Sequence, residues 1–205
     1  TCALPISELH RQGAVSGEEQ TKELVARIER ESMRMSALVE DLLMLARMDQ
    51  GPKMEIKPVN ISELVTDAVE SARAAGPGHA IELDAGNEIY ALGDANRIHQ
   101  VIANLLANAR VHTPVGTQIK VSVNQSESEV QVVVSDNGPG LSDQDREKIF
   151  ERFYRVDPSR KRASEEGTGL GLSIVDAVMR AHGGHVSVDS KLGEGATFTL
   201  HFPLN

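Results

Sequence analysis

The sequence predicts a mixed α/β domain preceded by one long helix. Apolar residues at alternating steps of four and three occupy residues 18–49, a pattern typical of a helix in a coiled coil or bundle. From residue 60 onward, segments of period-two alternation are interspersed with helical periodicity and glycine-rich turns. Apolar residues make up 40% of the 205 residues, enough for a hydrophobic core, and the aromatic content of 3% makes that core aliphatic.

Charge and cysteine content narrow the class of protein. The net charge of −9 argues against DNA or RNA as the main partner, because nucleic-acid-binding domains normally carry a basic stripe. The single Cys2 permits no internal disulfide, which fits a reducing cytoplasm. The longest apolar run, Leu42 to Ala46, is too short to span a bilayer, and no signal peptide is visible. We therefore expect a soluble, cytoplasmic chain.

The amino-terminal pattern predicts one helix over residues 18–49, interrupted only where Glu31 replaces an expected apolar residue. This pattern favours a helical bundle, and a single amphipathic helix packed on its own domain remains the alternative. Upstream, Pro5 to Arg11 is predicted to be the end of a partner helix, with Gly13 to Gly17 as the turn. The apolar seam consists of Leu24, Ile28, Met35, Leu38, Leu42 and Leu45.

The elements after this helix alternate between short strands and helices. A hinge at Gly51, Pro52 and Pro58 should precede a helix that Asn60 or Ser62 caps and that runs to about Ala75. The remaining predicted elements are strands at His79–Asp84 and Glu88–Leu92, a helix at Asp94–Arg110, an antiparallel pair at Gln118–Val123 and Glu129–Ser135, a helix from Gly169 to about His182, and strands at His185–Ser190 and Ala196–Phe202.

A lone carboxylate, Asp136, follows the predicted strand that ends at Ser135. An ionised carboxylate accepts hydrogen bonds and donates none, so it suits the exocyclic amino group of adenine and repels the carbonyl oxygen of guanine. Gly138 and Gly140 allow the following backbone to turn closely beneath a base. Taken alone this pattern is weak, and a plain turn is the alternative.

A second glycine-rich turn, at Gly167, Gly169 and Gly171, directly precedes a predicted helix. Backbone amides there, together with the positive end of the helix, can hold phosphate oxygens. The alternative is a helix start at which glycines serve only close packing.

Two asparagines, Asn104 and Asn108, lie four residues apart in an otherwise apolar helix. This spacing places both amides on one face, and a buried amide is costly unless it has a partner. An amide oxygen can coordinate magnesium, which suggests a ligand site. Hydrogen bonds to neighbouring backbone are the alternative.

Together these segments resemble a known family. Asn104 to Asn108 resembles the N box, Asp136 to Gly140 the first glycine box, and Phe150-Glu151-Arg152-Phe153 the F box. Gly167 to Gly171 resembles the second glycine box, and Gly193-Glu194-Gly195 a small third one. Their order and spacing are similar to the catalytic domain of sensor histidine kinases of two-component systems. This fold is shared with type II topoisomerases, a heat-shock chaperone and mismatch-repair ATPases.

The resemblance implies a two-layer α/β sandwich of the Bergerat type, with a mixed, mainly antiparallel sheet, preceded by a helical-hairpin remnant. It covers about residues 60–205, and residues 18–49 resemble the second helix of the kinase dimerisation domain. We expect a truncated dimerisation and phosphoacceptor hairpin at 1–50, a hinge at 51–59 and a catalytic ATP-binding domain at 60–205.

The implied activity is that of an ATP-dependent protein-histidine kinase. Such an enzyme binds Mg²⁺ and ATP, and passes the γ-phosphoryl group to a histidine for relay to a response-regulator aspartate. Related ATPases carry a glutamate where this chain has Asn104, an amide that cannot act as a general base, so transfer is favoured over hydrolysis. The alternatives are an ATP-binding interaction module and an ATPase.

The acceptor segment of the family resembles His-Glu-Leu-Arg-Thr-Pro, and no histidine of this chain precedes an acidic residue. The acceptor is therefore expected to precede Thr1, and this chain alone is not expected to phosphorylate itself. The resemblance further implies a homodimer in the full-length protein, doubtful for this chain by itself, a response-regulator receiver domain as partner, and a sensor in the inner or plasma membrane.

Residues 155–162 carry four basic side chains and one acidic side chain, a net charge of +3, and the resemblance makes this segment an ATP lid. Many family members have a lysine at Val111, and Arg110 or the lid cations are the candidates to replace it. The resemblance assigns catalysis to Asn104 and Arg155 and metal binding to Asn108. The implied nucleotide contacts are Asn104, Asn108, His112, Asp136, Gly138, Gly140, Phe153, Arg155, Lys161, Gly167, Thr168, Gly169, Leu170, Gly171, Leu172 and Thr197.

Overall fold

The computed structural model describes residues 18–51, 54–76, 78–156 and 168–204. The chain divides into two compact units, Thr1–Leu42 and Leu43–Asn205. The helix end predicted at Pro5 to Arg11 and the turn at Gly13 to Gly17 lie outside the described residues.

The predicted long helix is confirmed as α1, Glu18–Asp49. Within the first unit, several apolar side chains of α1 are exposed, including those of Val25, Ile28 and Met35. An exposed apolar row of this kind fits a helix that pairs with another helix, as the heptad pattern indicated. Over the described residues, no helix combines the length and the apolar character needed to cross a membrane.

The last turns of α1 belong to the second unit and are anchored there. Met44 and Leu45 are buried, with 5% and 2% of their surface exposed. Arg152, in the segment that resembles the F box, donates from one nitrogen to both carboxylate oxygens of Asp49, at 2.8 and 2.9 Å. Both partners are largely exposed, so the pair contributes at most about 1 kcal/mol. Its consequence is geometric, since it holds the end of α1 against residues 150–153.

The second unit continues with a mixed, mainly antiparallel sheet, which confirms the predicted fold class. Its elements are β1 Lys57–Asn60, α2 Ile61–Ala75, β2 Ala80–Asp84, β3 Tyr90–Gly93, α3 Ala95–His112, β4 Gln118–Gln125, β5 Glu129–Asp136, α4 Asp143–Lys148, α5 Gly171–Ala181, β6 His185–Lys191 and β7 Gly195–Pro203. Five of these strands run in the order β2-β4-β5-β7-β6, in which β2 and β4 are parallel and the other neighbours antiparallel, and β1 and β3 form a separate antiparallel pair.

Helices α2, α3 and α5 form the second layer, because α3 contacts both of the others and alternate residues of β4, β5 and β7 are buried. On β5, Val130, Val132 and Val134 are fully buried, whereas the intervening side chains are only half-buried. The alternation places one apolar face of the sheet against the helices. The core side of α3 consists of Ile98, Val101, Ile102, Leu105 and Leu106, as the periodicity predicted.

Two predictions about elements need correction, and one short helix was not predicted. Pro58 belongs to β1, opposite Leu92, rather than to a hinge. A proline is tolerated there because a two-stranded sheet consists only of edge strands. Helix α4 was not predicted, although Ser142 caps it by accepting from the Asp145 N–H. Helix α5 begins at Gly171 instead of Gly169, because Gly169 has φ +73°, which a right-handed helix excludes.

His182, the C-cap of α5, ties that helix to the start of α3. Its Nδ1 donates to the Val178 carbonyl at 2.8 Å, and its Nε2 accepts from the Asp94 backbone N–H at 3.0 Å. Asp94 is also the N-cap of α3, where its carboxylate accepts from two backbone N–H groups. Burial lowers the pKa of His182, while the Val178 carbonyl and the Asp94 charge oppose that effect.

We expect the link through His182 to weaken in mild acid. The unfolded chain takes up a proton near pH 6.5, which the folded imidazole resists, so the free energy of unfolding should fall as the pH drops below that value. Urea unfolding between pH 7.5 and 5 measures this loss. His182→Gln removes the titrating group and should flatten the profile. A wild-type pH profile in His182→Gln would contradict the expectation.

Candidate functional site

Asp136 is the last residue of β5, paired with Ile119 on β4 and with Ala196 on β7. Its half-buried carboxylate accepts hydrogen bonds from the backbone N–H groups of Gly138, at 2.9 Å, and Ala196. Burial raises the pKa of Asp136 above its ordinary value, and these two hydrogen bonds act in the opposite direction. The result is a hydrogen-bond acceptor whose orientation the backbone determines.

The loop after Asp136 is docked on both neighbouring parts of the sheet. The Asn137 side-chain oxygen accepts from the Gln118 N–H at 2.8 Å, which extends the pairing with β4. On the other side, the Gly193 N–H donates to the Pro139 carbonyl at 2.7 Å, and the Leu141 N–H donates to the Ser190 hydroxyl at 2.8 Å. The segment that resembles the first glycine box is therefore held at several points.

Two glycines permit this docking by removing side chains at a backbone crossing. A Cβ on Gly140 would lie 2.1 Å from the Lys191 carbonyl oxygen, and one on Gly195 would lie 2.0 Å from the Asp136 carbonyl oxygen. Both residues also have positive φ, +68° and +89°. A larger residue would meet backbone in each case, and backbone cannot rotate away. The small third glycine box thus has a structural explanation, since it lets β7 approach Asp136.

The turn at Gly138 also meets the carboxyl end of α3. A Cβ on Gly138 would lie 2.6 Å from Cγ2 of Thr113 and 2.7 Å from Oδ1 of Asp136. The Thr113 hydroxyl donates to the Ala109 carbonyl at 2.6 Å and lies 3.1 Å from His79 Nε2. Thr113 thereby joins the Asp136 turn to α3, a contact that sequence reasoning missed.

The two asparagines of α3 differ in their surroundings, although both are half-buried. The Asn104 amide donates to the Gly171 carbonyl at 3.4 Å, which joins α3 to the first turn of α5. Among the described residues, Asn108 has no hydrogen-bond partner for its side chain. Asn108 lies between Asn104, which contacts Gly171, and Thr113, which faces Gly138. Along the helix axis, Asn104 and Thr113 are roughly 13 Å apart, given the rise per residue of an α-helix.

The start of α5 offers backbone donors. Its N-cap, Leu170, provides no side-chain hydrogen bond to the first turn, which begins with Gly171 and Leu172. Uncapped N–H groups at a helix start suit an anion. The Leu170 side chain is fully buried, so this residue can contact a ligand only through its backbone. Thr168 supports the turn, because its hydroxyl accepts from the Leu170 N–H at 3.3 Å.

Arg155 and Arg110 have different surroundings. The pKa of His112, at the end of α3, is lowered by loss of hydration and then by the Arg155 charge. Arg110 lies over the end of α2 instead, where a Cβ on Gly76 would be 2.2 Å from its Nη2.

Among the predicted contacts, Thr197 is turned away from Asp136 by the sheet. Thr197 follows Ala196, the partner of Asp136, so its side chain points to the opposite face of the sheet. There its hydroxyl bonds with Ser135 at 3.0 Å, and the predicted nucleotide contact of Thr197 was wrong for this geometry. The Phe153 side chain is 56% exposed. Lys161 and Gly167 lie outside the described residues.

Within the part of the chain that the structure describes, no three histidine, cysteine, aspartate or glutamate side chains are grouped so that they could hold a metal ion. The donors at the site are amide oxygens and backbone N–H groups. Such a set fits an ion that arrives with phosphate oxygens, since Mg²⁺ keeps much of its shell as water and phosphate.

Two family descriptions match this chain. Residues 93–205 match the family described as histidine kinase-, DNA gyrase B- and HSP90-like ATPase, which is more than half of the chain. Residues 6–51 match the His Kinase A (phospho-acceptor) domain.

Similar curated proteins carry sensor kinase names. The probable sensor histidine kinase TcrY of Mycobacterium tuberculosis is 46% identical over 182 residues, which are 88% of this chain and 38% of that protein. The sensor histidine kinase TrcS of the same species is 35% identical over 205 residues, which are 97% of this chain and 40% of that protein. This chain thus spans about two fifths of the length of these relatives.

Solved structures extend the similarity to the fold. The mycobacterial sensor histidine kinase MprB matches with a TM-score of 0.63 at 29% identity, over 72% of this chain and 97% of that one. The crystal structure of full-length ShkA in complex with AMPPNP matches with a TM-score of 0.75 at 30% identity, over 91% of this chain and 39% of that one.

Because two backbones cross closely beside Asp136, alanine substitutions at Gly195 and Gly193, in the same turn, should differ in how much unfolding free energy they cost. Gly195→Ala places a Cβ against backbone and should cost roughly 2–5 kcal/mol of unfolding free energy, the sum of strain and overpacking. Gly193→Ala is the matched control: its φ is also positive, +84°, but no atom lies within 4 Å of the added Cβ. It should cost about 1–2 kcal/mol. Chemical denaturation measures both, and equal losses would show that the crossing is not close.

Proposed function

This chain belongs to the sensor histidine kinases, within the histidine kinase-, DNA gyrase B- and HSP90-like ATPase family, and we propose that it binds Mg²⁺ and ATP and directs the γ-phosphoryl group to a histidine. The observation that carries this proposal is the geometry of α3, which joins the turn at Asp136 to the uncapped start of α5. An acceptor suited to adenine and donors suited to phosphate therefore lie near opposite ends of one helical segment.

Asp136 selects the base in this proposal. Its carboxylate accepts a hydrogen bond from the exocyclic amino group of adenine and repels the carbonyl oxygen of guanine. The hydrogen bonds from Gly138 and Ala196 hold the carboxylate in one orientation before the nucleotide arrives. This preorganisation reduces the ordering that binding would otherwise require. His112 is the last residue of α3, next to Thr113, and provides an imidazole surface next to the base.

The phosphates occupy the other end of the segment. Backbone N–H groups at Gly171 and Leu172, supported by the turn through Thr168 and Gly169, donate to phosphate oxygens, while Asn108 provides its amide oxygen to Mg²⁺. The bound ion neutralises charge on the phosphate oxygens. Asn108 suits this role because its amide has no competing partner among the described side chains.

Transfer, rather than hydrolysis, follows from the chemistry of Asn104. An amide cannot remove a proton from water, and here its nitrogen donates to the Gly171 carbonyl. Arg155, which follows the segment that resembles the F box, supplies positive charge to the phosphoryl group in transfer. The acceptor is a histidine outside this chain, on a dimerisation segment of the kind that residues 6–51 match.

The partners follow from the same assignment. The phosphoryl group passes from histidine to an aspartate of a response-regulator receiver domain, in a two-component signal transduction pathway. Residues 1–50 contribute to a dimerisation hairpin in the full-length protein, residues 51–59 join it to the catalytic domain of 60–205, and the whole acts on the cytoplasmic side of a membrane sensor. The exposed apolar row on α1 supports dimerisation.

Calorimetry with Mg²⁺ and ATP, followed by a phosphate assay on the same sample, tests the proposed function. We expect binding with negligible phosphate release, and transfer of label when a dimerisation segment that contains the acceptor histidine is added. Steady phosphate release would indicate an ATPase instead. Binding without transfer to the added segment would favour a nucleotide-binding interaction module.

The role of Asp136 is tested by Asp136→Asn, which keeps the shape of the side chain and replaces one acceptor oxygen with a donor. Loss of a hydrogen bond to a charged acceptor should weaken ATP binding by roughly 10- to 100-fold. Asp84→Asn, at the end of β2, is the control and should leave the affinity unchanged. Unchanged ATP affinity in Asp136→Asn would contradict the assignment.

A further inference from the structure

The segment between α3 and β4, residues 113–117, is joined to the residues that directly precede β2. His79 Nε2 lies 3.1 Å from the hydroxyl oxygen of Thr113, and the Gly116 N–H donates to the Gly78 carbonyl at 2.8 Å. Strands β2 and β4 are parallel neighbours, so the segments that enter them lie at the same edge of the sheet. One side-chain bond and one backbone bond therefore hold the two segments together.

The direction of the bond between His79 and Thr113 follows from a count of protons. The single hydroxyl proton of Thr113 is donated to the Ala109 carbonyl, at 2.6 Å, and a carbonyl can only accept. His79 Nε2 is therefore the donor to the hydroxyl oxygen. Because the hydroxyl and the methyl group of threonine share Cβ, the two bonds that hold the hydroxyl also fix the direction of the methyl group.

The Thr113 methyl group faces Gly138, in the turn after the strand that ends at Asp136. A Cβ on Gly138 would lie 2.6 Å from Cγ2 of Thr113 and 2.7 Å from Oδ1 of Asp136. The methyl group thus lies where a side chain of Gly138 would be. The Gly138 N–H donates to the same Oδ1 at 2.9 Å. Packing of the methyl group against Gly138 limits the movement of the turn and keeps its N–H within reach of the carboxylate.

Gly138 differs from its two neighbours in what holds it. The Asn137 N–H donates to a carbonyl of β4 at 3.3 Å, and the Pro139 carbonyl accepts from a backbone N–H of the β6–β7 turn at 2.7 Å. Backbone groups therefore hold the residues before and after Gly138. The close contact of Gly138 outside its own turn is with a side chain, that of Thr113, and His79 orients that side chain.

We propose that His79 and Thr113 are positioning residues for the carboxylate that reads the base. His79 orients Thr113, and the Thr113 methyl group keeps the Gly138 N–H on Oδ1 of Asp136. A carboxylate held in this way meets the exocyclic amino group of adenine without being ordered at the moment of binding. This use rests on the proposed function, whereas the effect on the hydrogen bond between Gly138 and Asp136 can be measured without a nucleotide.

Hydrogen exchange of the Gly138 amide, followed by NMR in the nucleotide-free protein, tests the role of His79. His79→Phe keeps a ring and removes the donor, so the amide should exchange roughly 3- to 10-fold faster, the value of one net hydrogen bond. His79→Gln retains an N–H donor and should keep the wild-type rate. Fast exchange in His79→Gln would show that the N–H is not what matters, and a wild-type rate in His79→Phe, or an unprotected Gly138 amide in the wild-type protein, would also overturn the proposal.

Two variants of Thr113 separate its methyl group from its hydroxyl. Thr113→Ser keeps the hydroxyl and removes the methyl group, whereas Thr113→Val keeps the branched shape and loses both hydrogen bonds. Each should speed exchange of the Gly138 amide, and His79→Phe should add nothing to Thr113→Val, because both break the same bond. A wild-type rate in Thr113→Ser would show that the methyl group does not hold the turn, and a wild-type rate in Thr113→Val would remove the role of His79.

The chain offers a matched control for the threonine variants. Thr66, on α2, also donates its hydroxyl to the carbonyl four residues earlier, that of Ser62, at 2.7 Å. Thr66→Val therefore removes the same kind of helix bond elsewhere in the helical layer. It should leave exchange of the Gly138 amide unchanged, and faster exchange in this variant would show that the effect of Thr113→Val is not specific to the turn.

A second measurement tests the consequence for base recognition. Purine riboside 5′-triphosphate carries a hydrogen in place of the exocyclic amino group of ATP and cannot donate to Asp136 there. His79→Phe should lower the ratio of the affinities for ATP and this analogue by roughly 3- to 10-fold. Equal weakening for both ligands would indicate a general structural role and would overturn the positioning role. If the wild-type protein binds neither ligand, or both equally, the proposed reading of adenine by Asp136 fails, while exchange of the Gly138 amide still decides whether His79 and Thr113 hold the turn.

Discussion

The close passage of two backbones beside Asp136 is the constraint on which the site depends. The loop 137–141 reaches its position only because Gly140 and Gly195 carry no side chain where each meets a carbonyl oxygen. This approach brings the Ala196 N–H to the Asp136 carboxylate and gives Leu141 and Pro139 their partners on the β6–β7 hairpin. A side chain at either glycine would separate the loop from β7, and the carboxylate would lose the donors that orient it.

Helices α3 and α5 form the second fixed part of the site, because they are joined near both ends of α5. Asn104 contacts Gly171 at its first turn, and His182 contacts Asp94 after its last turn. Both contacts use a side chain on one helix and a backbone group on the other. These contacts fix the position of α5 relative to α3. They do not use the uncapped N–H groups of α5 or the amide of Asn108, which remain available to a ligand. Rigidity and binding capacity therefore come from different residues of the same pair of helices.

The regular elements could be predicted from sequence wherever burial imposes a period. The helices at 18–49 and 61–75, the core side of α3 and the β4–β5 pair all follow from repeating apolar positions. Strand β1 could not be predicted in this way. It has four residues, one of them proline, and it exists because β3 provides a partner. Thr197 was misplaced for a related reason, since one step along β7 moves a side chain to the other face of the sheet.

The sequence by itself determined the family, the mixed α/β class and the residue types of the site. Glycine turns, paired amides and a lone carboxylate are local patterns, and both the patterns and their order can be read directly from the sequence. Only the tertiary structure decided which of these groups meet. In the folded chain, Arg110 lies against Gly76 and Arg152 bonds to Asp49. Tyr154 bonds to Asp145, and Asn108 has no partner among the described residues. The reason is physical: periodicity reports which face of an element is buried, whereas hydrogen-bond partners depend on distances between elements that no local pattern specifies.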